Sequence, residues 1–131
     1  MGTSVLCVDD SATVRRILRR ALSETGFDVI DAVDGMDAWS QIESGVRPSL
    51  MFCDVNMPRM NGLELLEKLH GAGHVAWLPV LMLTTEGKPE LIQLATSMGA
   101  KGWILKPFKN DHLVAEAQRF VKPWVQASEA D

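Results

Sequence analysis

The chain has 131 residues, of which 47% are hydrophobic, and its formal net charge is -4. This length suits a single domain with a substantial core, and the hydrophobic content excludes an intrinsically disordered chain. No apolar run approaches the roughly 20 residues of a membrane span, and the acidic balance argues against a general nucleic-acid-binding protein.

Strand-like and helical segments alternate through the first half of the chain. An apolar run predicts a first strand at residues 5–8, and Ser11 is placed to cap the helix that follows. Apolar residues at helical spacing carry this helix to Gly26, a residue type that often ends helices. A second, more polar strand is predicted at residues 27–30, nearer an edge of the sheet, and a short helix then leads to Gly45.

The second half of the chain repeats this alternation. Strands are predicted at residues 50–54, 79–83 and 102–105, each followed by apolar residues at helical spacing. These residues are Leu63, Leu66 and Leu69, then Leu91, Leu94, Ala95 and Met98, and finally Leu113, Val114, Ala117, Phe120, Val121 and Trp124. The pattern predicts an α/β doubly wound fold with a five-stranded parallel sheet. We expect residues 1–126 to form a single domain and residues 127–131 to form a polar C-terminal tail.

Two cysteines, Cys7 and Cys53, stand inside predicted strands. Buried, reduced thiols fit this placement better than a disulfide or a metal pair. The N-terminus enters a strand-like run almost at once, without the pattern of a signal peptide. We therefore expect a cytoplasmic protein.

Polar side chains stand at the carboxyl ends of four predicted strands. Asp9 and Asp10 follow the first strand and Asp54 ends the third, while Thr84 and Lys106 follow the fourth and fifth. Ligands of such sheets bind at this edge, so we expect these side chains to meet in one pocket. Crowded carboxylates repel each other unless a cation offsets their charge. Mg²⁺ suits these oxygen ligands, Mn²⁺ would also fit, and no His or Cys is placed to form a zinc site.

The same pocket suits phosphoryl transfer. Lys106 supplies a positive charge and Thr84 a hydroxyl, and both can contact the oxygens of a transferring phosphoryl group. Asp54 is the best candidate for the nucleophile, because it ends the central strand and a carboxylate can form an acyl phosphate. Each residue alone could be structural, as Asp10 could simply cap a helix, but the complete set favours a functional site.

Four stretches of the sequence resemble the response-regulator receiver domain, and the likeness extends over nearly the whole chain. They are residues 8–11 (Val-Asp-Asp-Ser), 54–58 (Asp-Val-Asn-Met-Pro) together with 60–62 (Met-Asn-Gly), 83–85 (Leu-Thr-Thr) and 106–108 (Lys-Pro-Phe). Residues 9–15, 84–87 and 102–108 are most similar to stand-alone chemotaxis regulators of the CheY type. The resemblance implies the flavodoxin-like strand order 2-1-3-4-5, for which flavodoxin and CheY are known examples.

The resemblance also implies a role for each site residue. Asp54 accepts a phosphoryl group from a histidine kinase or phosphotransfer domain, Thr84 and Lys106 contact the phosphoryl oxygens, and the Lys106–Pro107 bond is cis. The protein is expected to catalyse only its own phosphorylation and dephosphorylation. The implied ligands of Mg²⁺ are Asp9, partly through water, Asp10, Asp54 and the backbone carbonyl of Asn56.

Two surfaces are candidates for contact with partners. Trp103 stands where the family often has Tyr or Phe, on the face of the fourth helix, fifth strand and fifth helix, and it either turns inward with Thr84 or stays at the surface. Lys88, Lys101 and Lys109 flank that face. Arg15 and Arg19 belong to a basic face of the first helix, which is either simply solvated or a docking surface for the kinase.

These features favour a phosphorylation-activated switch of a two-component pathway, with chemotaxis as the expected context. The target is a separate protein such as a flagellar motor or a kinase, and we expect a monomer. A phosphotransfer intermediate or phosphate sink would use the same chemistry. A haloacid-dehalogenase-type phosphatase usually has an acid-base Asp two residues after the nucleophile, where this chain has Asn56. A flavin site would need a Ser/Thr/Gly-rich phosphate loop in place of Asp9 and Asp10.

Overall fold

The predicted strands and helices form in the predicted order, and one short helix is added. A computed structural model describes residues 3–121. The elements are β1 (Thr3–Val8), α1 (Ala12–Ser23), β2 (Phe27–Ala32), α2 (Gly35–Glu43), β3 (Leu50–Cys53), α3 (Gly62–Gly71), a 3₁₀ helix (His74–Ala76), β4 (Val80–Thr84), α4 (Pro89–Ser97), β5 (Gly102–Leu105) and α5 (Asn110–Phe120). Within residues 3–121, no helix is long and apolar enough to cross a bilayer.

All strands of the sheet are parallel, in the order β2-β1-β3-β4-β5. This confirms the predicted fold class, the flavodoxin-like order and the edge position of β2. The central strands β1, β3 and β4 are almost wholly buried, because helices cover both faces of the sheet. In a parallel sheet every carboxyl end lies at the same edge, so the residues after these strands are gathered there.

The sheet separates two apolar clusters. Helices α2, α3 and α4 cover one face and α1 and α5 the other. Cys7 packs in the second cluster and Cys53 in the first, so the two thiols lie on opposite faces of the sheet and are free. Burial raises the pKa of both thiols. The prediction of two buried thiols is confirmed.

The predicted ends of α1 are confirmed, whereas the predicted end of α5 is not. Ser11 caps α1 by accepting a hydrogen bond from the Val14 N–H, and Gly26 adopts the left-handed conformation after it (φ 95°). The predicted continuation of α5 through Val121 is wrong, because Val121 is extended (φ -142°, ψ 153°). It still packs against the second cluster, and a β-branched residue adopts an extended backbone readily. Trp124 and the predicted tail at residues 127–131 lie outside the described residues.

Candidate functional site

Backbone hydrogen bonds between neighbouring strands continue for one residue beyond the carboxyl ends of the strands. They fix the backbone of the predicted site residues. The Asp54 N–H donates to the Val8 carbonyl (3.0 Å), and the Lys106 N–H donates to the Thr84 carbonyl (2.9 Å). Asp9 extends β1 toward β2 in the same way. Asp9, Asp54, Thr84 and Lys106 therefore leave adjacent strands at one edge, as predicted. The predicted cis bond between residues 106 and 107 is also present.

Lys106 joins two of the carboxylates. Its Nζ lies 2.7 Å from Asp9 Oδ2 and 3.2 Å from Asp54 Oδ2, and the lysine side chain is 15% exposed. Burial acts to lower the pKa of Lys106, but the hydrogen bond to Asp9 and the charges of both carboxylates outweigh it and raise this pKa. The remaining oxygens accept backbone hydrogen bonds from Ser11 to Asp9 (2.9 Å) and from Val55 to Asp54 (2.7 Å).

The three predicted carboxylates come together. Asp9, Asp10 and Asp54 each offer one oxygen, and these oxygens lie within 4.8 Å of one another. Asp9 and Asp54 are buried, whereas Asp10 is exposed and leaves the cluster open toward solvent. This donor set consists of hard oxygens and fits Mg²⁺ or Mn²⁺.

A chain of hydrogen bonds leads from the site to Trp103. Thr84 is fully buried, and its Oγ1 accepts from the Glu86 N–H (3.2 Å). The Glu86 carbonyl accepts from Trp103 Nε1 (2.7 Å). The indole is half-buried and packs against the cluster on the α2–α3–α4 face. Trp103 is thus hydrogen-bonded to the loop after β4. The sequence did not reveal this link, because it depends on a backbone carbonyl.

The structure places the other predicted partner residues around the same edge, with one exception. Lys88 and Lys109 directly precede α4 and α5 at the site edge, whereas Lys101 lies at the opposite end of β5, and all three are exposed. Arg15 donates to the Asp9 backbone carbonyl, and Arg19 pairs with Asp31 (3.2 Å). The last two therefore have partners within the chain, which the sequence did not indicate.

A cavity of about 550 Å³ opens beside Lys106, between α1 and the start of α5. Its lining is mostly apolar and consists of Val14, Ile17, Thr85, Lys106, Pro107, Phe108 and Asn110.

An ion pair between Asp34 and Arg59 joins two turns at the same edge of the sheet, and the sequence analysis did not predict it. Only the position of Arg59 between the motif residues 54–58 and 60–62 hinted at it.

Comparisons with known proteins agree with this geometry. A sequence model of the response regulator receiver domain matches residues 5–118. Chemotaxis protein CheY1 of Helicobacter pylori (strain ATCC 700392 / 26695) is 38% identical over 105 residues, which cover 79% of this chain and 85% of that protein. The CheY homolog of Campylobacter jejuni (subsp. jejuni serotype O:23/36, strain 81-176) is 38% identical over 105 residues, covering 79% of this chain and 81% of that protein. The solved structure of chemotaxis response regulator CheY4 of Vibrio cholerae has a TM-score of 0.83 and 36% identity, covering 91% of this chain and 98% of that one. This chain belongs to the response regulator receiver domain family.

Proposed function

We propose that this protein is a phosphorylation-activated switch that accepts a phosphoryl group on Asp54 from a histidine kinase or phosphotransfer domain. Receiver domains of this type act in phosphorylation-dependent two-component signalling. The observation that carries the proposal is Lys106 Nζ, which lies between the carboxylates of Asp9 and Asp54 at the open edge of the sheet. The relatives named as chemotaxis proteins support chemotaxis as the pathway.

The transfer step needs an attacking oxygen and groups that stabilise the phosphoryl oxygens. An Asp54 carboxylate oxygen forms a bond to phosphorus while the bond from phosphorus to the partner's histidine nitrogen breaks, and the imidazole leaves with that electron pair. Lys106 and the Thr84 hydroxyl would contact the phosphoryl oxygens, which carry charge throughout the step. The mostly apolar cavity beside Lys106 offers a surface that the donor domain would contact next to the site.

Asp9, Asp10, Asp54 and the backbone carbonyl of Asn56 are the groups that would hold Mg²⁺. The bound ion supplies positive charge that offsets the repulsion between carboxylates and phosphoryl oxygens. Asp10 is the exposed member of the set, so it is the group that solvent and incoming cations reach first.

Phosphorylation would act on a partner surface through Thr84. When its hydroxyl contacts the phosphoryl group, it no longer holds the Glu86 N–H in the same way, and the Glu86 carbonyl that binds Trp103 is free to shift. Trp103 then changes its position on the face of α4, β5 and α5, where the exposed Leu94 and Leu105 offer apolar contacts to a target. Lys88, Lys101 and Lys109 would add positive charge around that face.

Two alternatives use the same pocket. A phosphate sink needs no target that depends on phosphorylation, so a binding comparison between the phosphorylated and unphosphorylated protein would separate it from a switch. A haloacid-dehalogenase-type phosphatase requires an acid-base group at the position of Asn56, whose amide cannot exchange a proton in that way. Arg15 and Arg19 remain candidates for contact with the kinase, although each would have to keep or exchange its partner within the chain.

Labelling with acetyl phosphate tests the acceptor. We expect the wild-type protein to gain the mass of one phosphoryl group when Mg²⁺ is present and none when the metal is chelated. Asp54→Asn keeps the shape of the side chain but removes the nucleophile, so it should not be labelled. Asp28→Asn makes the same charge change at an exposed position near the start of β2 and should be labelled normally. Unchanged labelling of Asp54→Asn would refute the proposed acceptor.

A further inference from the structure

A partly buried ion pair joins the turn before α2 to the loop that follows Asp54. Arg59 Nε lies 2.7 Å from Asp34 Oδ2, and Arg59 Nη2 lies 3.0 Å from Asp34 Oδ1. The Asp34 side chain is 5% exposed and that of Arg59 is 61% exposed. This two-pronged contact is the strongest geometry available to an arginine and a carboxylate. The Arg59 hydrogen bond holds the pKa of Asp34 below its usual value, although burial acts in the opposite direction.

A second contact joins the same two segments. The Gly35 N–H donates to the Met60 carbonyl (3.0 Å), and a Cβ atom on Gly35 would lie only 2.5 Å from that oxygen. Asp34 also caps α2 by accepting from the Asp37 N–H (2.9 Å). The start of α2 therefore packs against the loop at residues 59–60 through two contacts, the backbone hydrogen bond of Gly35 and the ion pair of Asp34.

The conformation of the loop depends on such support. Arg59 has φ 65°, in the left-handed region, and it is the only non-glycine residue with positive φ among residues 3–121. A non-glycine residue in this region carries a cost and persists when its surroundings hold it there. On the far side of the loop, the Gly62 N–H donates to the Val55 carbonyl (2.8 Å). Residues 55–62 thus form a closed loop that is anchored from outside at Arg59.

We propose that Arg59 is a positioning residue of the metal site: by binding Asp34 it fixes the loop that carries Asn56 in the arrangement that accepts a divalent cation beside Asp54. Asn56 lies three residues before Arg59 within this loop, and Asp54 lies directly before the loop. The inference rests on the proposed function, since it assigns the loop carbonyl of Asn56 to the cation. Groups that orient metal ligands affect metal affinity strongly even though they do not contact the ion.

The sign of the effect separates positioning from simple electrostatics. Arg59 is positively charged and belongs to the same loop as Asn56, so removal of its charge alone would, if anything, strengthen the binding of Mg²⁺. Loss of the support for the loop would weaken it. A weaker binding of Mg²⁺ after substitution of Arg59 therefore cannot arise from the change in charge.

Calorimetric titration of the unphosphorylated protein with Mg²⁺ alone tests this inference. Arg59→Asn removes the guanidinium but retains a residue that tolerates positive φ. We expect it to raise the dissociation constant of Mg²⁺ by about threefold to tenfold, less than for a direct partner of a ligand because the contact is one step removed. Arg59→Lys keeps the charge without the two-pronged geometry, so its affinity should be intermediate.

The controls address charge and folding. Arg20→Asn removes the same charge from an exposed pair on α1 and should leave the affinity unchanged. The double variant Asp34→Asn/Arg59→Asn should lose no more affinity than Arg59→Asn if Arg59 acts through Asp34. Thermal unfolding of each variant identifies a titration temperature at which all variants are folded. A lower affinity measured at that temperature cannot be caused by unfolding.

The outcomes distinguish the two proposals. If the wild-type protein binds Mg²⁺ and Arg59→Asn binds it equally well or more tightly, the positioning role is refuted while the proposed function stands. If the wild-type protein does not bind Mg²⁺, the metal site of the proposed function fails and the inference fails with it. Weaker binding by Arg59→Asn with partial recovery in Arg59→Lys supports the role.

Discussion

At the scale of single residues, the site is defined by an excess of negative charge. Lys106 offsets one of the three clustered carboxylates, so two negative charges remain, which matches one divalent cation. Asp9 and Asp54 have the ammonium as a partner, whereas Asp10 is exposed and takes no part in that ion pair. Without metal, Asp10 therefore contributes repulsion without a matching attraction from Lys106.

This imbalance predicts opposite effects of Asp10→Asn on stability and on metal binding. Without metal, the free energy of unfolding should rise by a few tenths of a kcal/mol, as is usual for exposed charges. The extra stability that saturating Mg²⁺ gives the wild-type protein should largely disappear. Urea unfolding with a chelator and with Mg²⁺ measures both effects. Asp28→Asn is the control for charge, and the prediction is contradicted if Asp10→Asn keeps the full stabilisation by Mg²⁺.

The sequence was sufficient to predict these residues but not their supports. Asp9, Asp54, Thr84 and Lys106 could be predicted because each adjoins or ends a strand, and parallel strands place such residues at one edge. The pair of Asp34 and Arg59 spans 25 residues and depends on a left-handed turn that no apolar pattern encodes. Contacts of this kind depend on the paths of two loops, which periodicity does not determine.

At the scale of elements, the start of α3 is built into the site. The helix begins with a capping box, in which Asn61 Oδ1 accepts from the Glu64 N–H (2.8 Å) and Glu64 Oε1 accepts from the Asn61 N–H (2.9 Å). The first residue of the helix, Gly62, lies so close to Asp54 that an added Cβ atom would overlap the Asp54 carbonyl oxygen, at 2.0 Å. The helix and Asp54 therefore share one tightly packed backbone contact.

Two glycines of α3 should respond oppositely to alanine. Gly62→Ala must displace the Asp54 backbone, so we expect a loss of about 3 kcal/mol of stability, as in other overpacked sites, together with slower labelling by acetyl phosphate. Gly71→Ala lies at the exposed end of the same helix with no atom within 4 Å of the added Cβ. It should stabilise the protein by up to about 1 kcal/mol, because alanine favours helix. Urea unfolding of both variants is the measurement, and equal stabilities would contradict the close contact at Gly62.

At the scale of the whole molecule, a path of hydrogen bonds connects the pocket with Trp103 on β5. The doubly wound parallel sheet followed from the sequence, because alternating β and α segments allow few arrangements, whereas the strand order followed from the resemblance to the receiver family. The connection itself followed from neither. It runs from the Thr84 hydroxyl through the backbone of Glu86 to the Trp103 indole. The sequence identifies the threonine and the tryptophan at the two ends, but not the backbone hydrogen bonds between them. A phenylalanine at position 103 would lack the N–H that closes this chain.

This chain of hydrogen bonds predicts that Trp103 reports on phosphorylation. The protein has four tryptophans, so the other three, Trp39, Trp77 and Trp124, are replaced by Phe to leave Trp103 as the sole emitter. Acetyl phosphate with Mg²⁺ should then change its emission, because movement of the Thr84 hydroxyl releases Glu86 and alters the environment of the indole. Adding Asp54→Asn should abolish the change.

Adding Thr84→Val tests the path from the pocket to the indole. The variant keeps the volume of the side chain but removes the hydroxyl that accepts from Glu86. We expect Asp54 to be labelled still, while the change in emission becomes much smaller. Mass spectrometry on the same samples measures the labelled fraction. If a fully labelled single-tryptophan protein emits like the unlabelled one, Trp103 does not sense the pocket. If Thr84→Val retains the whole emission change, the signal reaches the indole by another route.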